Sequence, residues 1–147
     1  MVRRRLVHII LVSLAVVLMT ACDKFHMSDN GLLDGNWQLT QVDTLQTGQT
    51  ADVRQRLIFW AVQTDLLQMR AHNHLSVFFR FRYDGSTLTL TDPVADKREI
   101  SDSIITDVRS VNIFGMSHLA ATLQVQQLTG SRMTLQSDSL RLHFRKY

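Results

Sequence analysis

From Leu75 to Tyr83 the chain alternates. Leu75, Val77, Phe79, Phe81 and Tyr83 are apolar or aromatic, and of the residues between them Ser76, Arg80 and Arg82 are polar and only Phe78 is not. Successive side chains of a strand point to opposite faces, so a period of two means a half-buried strand and excludes an amphipathic helix here. Asp84-Gly85 follows, a dipeptide suited to tight hairpin turns because both positions tolerate positive φ. Thr87 to Thr91 then alternates again, with β-branched threonines on the outer face. The stretch is predicted to be a hairpin. Its second strand is expected to end at Asp92-Pro93, because proline cannot donate to a ladder.

The same logic recurs along the chain. Trp37 and Leu39 open a strand that should end near Asp43, and Leu119, Ala121, Leu123 and Val125 alternate with polar neighbours. Thr129-Gly130-Ser131 and Gln136 to Ser139 read as turns, leaving strands at Met133-Leu135 and from Leu140 to Arg145. Arg56 to Gln63 is apolar on both faces, which implies burial on both sides or one face toward a ligand cavity. Between Lys97 and Ser117, Ile100, Ile104, Ile105 and Val108 fit a helical face, yet the intervening Ser, Asp and Thr compete with helical backbone bonding. Either a short helix near 100–110 or an irregular crossing followed by a strand near Val111 to Phe114 fits. Eight or nine short antiparallel strands result. Closing them into a barrel removes the edges; a two-sheet sandwich fits the turn lengths equally.

The N-terminus differs in kind. Arg3, Arg4 and Arg5 precede an apolar run from Leu6 to Met19, then Thr20-Ala21 and Cys22, the sole cysteine. These are the parts of a secretory signal. A cysteine just past the cut resembles a bacterial lipobox, with Met19 where leucine is commonest. That resemblance implies cleavage before Cys22 and a diacylglycerol on its sulfur. The run is too short for a spanning helix, which needs about 20 apolar residues, and without lipid Cys22 would be an odd unpaired thiol. Residues 1–21 are thus expected to be signal peptide, 22–34 a tether and 35–147 the domain. The chain has 16 basic and 13 acidic side chains, and three of the arginines lie in the leader. The mature charges balance, which gives no argument for a nucleic acid partner. With one cysteine, packing and hydrogen bonds alone must hold the fold.

Gly35-Asn36-Trp37 at the first strand resembles the Gly-x-Trp signature that opens lipocalin-type barrels. The resemblance implies a single antiparallel barrel of about eight strands. In it the tryptophan closes one end, and a basic residue of the last strands (Arg141, Arg145 or Lys146) lies on its ring. Order and length are similar to small lipocalin-like lipoproteins of Bacteroidota. The expected location is the bacterial cell envelope, lipid-anchored, with the outer membrane ahead of the inner.

Chemistry is scarce. No serine sits in a Gly-x-Ser-x-Gly elbow, Glu99 is the sole glutamate, and phosphate-binding glycine loops are missing. No enzyme is expected, and no cofactor. His72 and His74 would share one side of a strand, but a zinc site needs three or four ligands, which His118 or His143 would have to supply. Surface histidines are the expectation. Trp60, Phe79 and Phe81 are candidates to line a cavity. Arg80 and Arg82 would join them only by facing inward, where a buried guanidinium needs an anionic partner. The expected function is an envelope protein that holds a small apolar or amphipathic ligand. The alternative is a protein–protein interaction module with a filled core, and an unfilled interior separates the two.

Overall fold

The computed structural model describes residues 28–96 and 103–147. The leader, Cys22 and the tether as far as Met27 lie outside the described residues, as does Ile100.

Among the described residues ten strands form one sheet: β1 (Gly35–Thr44), β2 (Gln49–Asp52), β3 (Phe59–Gln63), β4 (Leu66–Arg70), β5 (Val77–Tyr83), β6 (Thr87–Ala95), β7 (Ser103–Ile104), β8 (Ala121–Leu128), β9 (Arg132–Gln136) and β10 (Leu140–Lys146). All pairings are antiparallel, and eight strands close a ring in the order β1, β3, β4, β5, β6, β8, β9, β10 and back to β1. The sheet is a closed barrel, not a sandwich. β1 is long enough to serve two partners on one edge: Gly35 to Gln38 pair with β3, and Gln41 to Thr44 with β2.

The barrel has two unlike ends. At one, the chain enters through a 3-10 turn over Gly31–Leu33, with Leu33 fully buried. The turns at Thr64-Asp65, Asp84–Ser86 and Thr129–Ser131 are at this end too. Asn30 ties it together, its Nδ2 donating to Ser28 Oγ, Asp34 Oδ1 and the Thr64 carbonyl at 2.6, 2.9 and 2.7 Å. The folded part therefore begins ahead of Gly35. At the other end lie the turns before β2 and β10, the 71–76 loop and the long crossing from β7 to β8.

Three expectations need correction. β6 does not stop at Asp92-Pro93 but runs on to Ala95. Phe78 pairs with Val94 and Arg80 with Thr91, so one residue of β5 opposes two of β6. Proline in such a bulge forfeits no ladder bond. Asp92 takes φ 52° there, and the inward parity shifts from Leu88 and Leu90 to Pro93 and Ala95. Secondly, Val111 to Phe114 is no strand: the crossing holds a single helical turn, α1 (Arg109–Asn112), and Val111, Phe114 and Met116 are buried. Thirdly, Arg56–Gln63 is not buried on both sides: only the face of Ile58, Trp60 and Val62 is in the core. Leu57 is exposed, and Phe59 is covered by the Tyr147 ring at 5.1 Å and the Arg70 guanidinium at 5.2 Å.

Candidate functional site

At the entry end Trp37 is fully buried, and its Nε1 donates to the Leu33 carbonyl at 2.8 Å. The Lys146 ammonium lies 4.8 Å from its ring centroid and also donates to the Leu32 carbonyl at 3.3 Å. Of the three basic residues expected to take this place, Lys146 does. Gly35 makes room for it: at φ 125°, a Cβ there would lie 2.6 Å from Lys146 Cε. Any side chain at position 35 would push the lysine off the indole.

Inside, Trp60 and Phe79 point to the barrel axis and are fully buried, while Phe81 is half-buried nearer an end. Accessible surface includes the walls of internal voids, so a side chain with none touches no space large enough for a water. Trp37, Trp60, Phe79, Leu90, Phe114 and Leu135 are all at 0 %. The interior around them is packed. Phe114 arrives from the crossing; its carbonyl accepts from Trp60 Nε1 at 3.2 Å, and Phe144 tilts against Trp60 at 5.0 Å. Gly115 allows this insertion, with φ 87° and a would-be Cβ 2.8 Å from Leu142 Cδ2. Burial of each such aromatic stabilises by about 1.5–3 kcal/mol.

Arg80 and Arg82 are on the outer surface, exposed, with Arg80 Nη1 3.2 Å from Asp65 Oδ2. They take no part in an interior. His72 and His74 lie in the exposed 71–76 loop, and His118 is exposed beside a groove at the crossing end. Among the described residues no three His, Cys, Asp or Glu side chains gather to hold a metal.

A cluster that spacing alone did not single out lies on the outer face of β1 and β10. His143 Nε2 is 2.7 Å from Asp43 Oδ2, and Asp43 Oδ1 accepts from Gln41 Nε2 and Thr50 Oγ1 at 2.8 and 2.9 Å. Partial desolvation pushes the Asp43 carboxyl up, but the bonds from His143, Gln41 and Thr50 outweigh it and hold the group below the usual aspartate range. The partners are 100 positions apart in sequence, which hides this pair from any local motif.

An eight-strand antiparallel barrel whose opening Gly-x-Trp is capped by a terminal lysine has its counterpart among known families: a model described as a lipocalin-like domain matches residues 17–147. The chain belongs to the lipocalin-like domain family. Solved structures agree on the fold. A lipocalin-like protein from Bacteroides uniformis ATCC 8492 is 19 % identical, with TM-score 0.59 over 80 % of this chain and 100 % of that one. An uncharacterized protein from Bacteroides eggerthii DSM 20697 is 19 % identical, with TM-score 0.58 over 78 % and 98 %. Among curated proteins no match was found. Lipocalin-like barrels are an architecture of the ligand-binding type, and their families are generally binding proteins and not enzymes.

Proposed function

We propose that this lipocalin-like protein is a lipid-anchored module of the bacterial cell envelope that binds through its surface, its barrel interior serving as core. The observation that carries the reading is Phe114, fully buried against Trp60, with the surrounding inward side chains shut off from water. A small apolar ligand inside would have to displace Phe114 and leave the Trp60 indole N–H in need of another acceptor, at a cost of about 1–3 kcal/mol before any gain. The lipid anchor is supported by the leader and by Cys22 directly after it.

Native mass spectrometry on the mature protein, extracted gently from its own envelope, tests the reading. A bare mass and an unchanged thermal midpoint across a panel of fatty acids and phospholipids are expected, with cross-linking then yielding a protein neighbour. A co-purifying apolar molecule that organic extraction removes would restore the carrier reading and make the crossing a displaceable plug.

A further inference from the structure

The outer faces of β8, β9, β10 and β1 frame a groove of about 430 Å³. Arg54, Arg132 and Arg145 line it, together with Gln127, Thr134 and His143. Arg132 and Arg145 are direct register partners on neighbouring antiparallel strands. Like charges placed opposite each other destabilise a sheet, and no carboxylate among the described residues lies within ion-pair distance of either. The one acid in the groove lining, Asp52, is already engaged: both of its oxygens accept from Arg54, which holds the carboxyl down to about 2.

Beneath the arginines sits Gln38, 3 % exposed and the sole buried polar side chain among the described residues. Its Oε1 accepts from Arg145 Nε at 2.9 Å, and its Nε2 donates to the Arg54 carbonyl at 3.0 Å. A buried neutral amide thus fixes the Arg145 guanidinium without neutralising it and holds the main chain at Arg54, whose own guanidinium is paired with Asp52; the Nη groups of Arg145 have no protein acceptor among the described residues. Two guanidiniums without a carboxylate, Arg132 and Arg145, set on a concave surface with the Thr134 hydroxyl and the Gln127 amide beside them, match an anion with several oxygens.

We propose that this groove binds a phosphoryl group, carried by a soluble phosphoester or by a lipid headgroup. The inference deepens the reading of a surface-acting protein by naming a surface chemistry, and the two fail separately: a ligand found in the interior would leave the groove untouched.

The test is calorimetric titration of the full chain in neutral detergent with inorganic phosphate, against chloride at matched ionic strength. Saturable binding with phosphate and none with chloride is expected. Arg132→Gln combined with Arg145→Gln should weaken it by about tenfold or more, whereas Arg82→Gln, elsewhere on the outer surface, should not. Arg145→Gln also removes the donor to the buried Gln38 Oε1, so without phosphate the double variant should melt lower than the parent yet keep the parent's circular dichroism spectrum at the titration temperature; that spectrum separates lost binding from lost folding. Micelles doped with phosphatidate then distinguish the sources. Competition with inorganic phosphate assigns the site to headgroups, and no competition assigns it to soluble phosphoesters. Equal heats with chloride, or a double variant that binds phosphate as tightly as the parent, would overturn the proposal.

Discussion

Gly35 and Lys146 occupy the same few ångströms, so their substitutions should not add. Lys146→Met removes the charge over Trp37 and the bond to Leu32, a loss of about 0.5–2 kcal/mol. Gly35→Ala forces the lysine away and also strains a backbone at φ 125°, at roughly 1–3 kcal/mol. Because the alanine already forfeits the cation–π contact, the double variant should be less destabilised in urea than the sum of the singles; strict additivity would show that the lysine is not held by the indole. Asp43 makes a second residue-level prediction. Its folded value is depressed, so the stability it contributes is fully present above the unfolded aspartate value of about 3.9 and is lost as pH falls through the folded one. Asp43→Asn should flatten the acid side of a plot of thermal midpoint against pH. An unchanged acid limb would mean that other carboxylates carry it, such as Asp84, which the Ser86 and Thr87 amides hold low, and Asp107, held low by Arg109.

At the scale of elements, the crossing between β7 and β8 decides whether the barrel is full. Phe114→Ala removes a ring with no exposed surface, and truncations of this kind cost about 3–5 kcal/mol because the space left cannot fully collapse. Trp60 loses packing at the same stroke, so its fluorescence should shift to the red; a near-neutral effect would place Phe114 outside the core. Why this element was illegible is physical. A one-turn helix has too few residues for a 3.6 period, and its anchor works by a long-range contact, Trp60 Nε1 to the Phe114 carbonyl. By contrast β5, β9 and β10 were readable, because one buried and one wet face leave alternation in the sequence. β6 was readable only as far as its bulge. β4 shows how little signal a five-residue strand leaves: only Leu67 and Met69 alternate inward. The site divides in the same way. Trp37 announced itself through a local motif, whereas the three arginines of the groove come from β9, β10 and the segment after β2, brought together by closure alone. Asp92 tests the bulge itself. A residue at φ 52° should accept glycine with little change but lose about 1–2 kcal/mol to valine, whose branched Cβ disfavours that region.

For the whole molecule, the direction in which the chain enters sets an orientation. Ser28 is fastened at the Trp37 end through Asn30 and Asp34. Six residue steps separate it from Cys22, and a chain advances at most about 3.6 Å per residue, so an acylated Cys22 keeps that end within roughly 20 Å of the bilayer surface. Leu32 and Tyr147, both more than half exposed, belong to the same end, and so does the Arg132–Arg145 pair. Under the proposed anchor, the crossing and the 71–76 loop would point away from the membrane. A photoreactive side chain at Asp65, in the β3–β4 turn, should cross-link to lipid in intact membranes, while one at Asp138, before β10, should not. Cys22→Ser should abolish the difference by releasing the protein from the membrane. Lipid adducts at Asp138 and none at Asp65 would invert the orientation, and membrane retention of the serine variant would remove the anchor on which it depends.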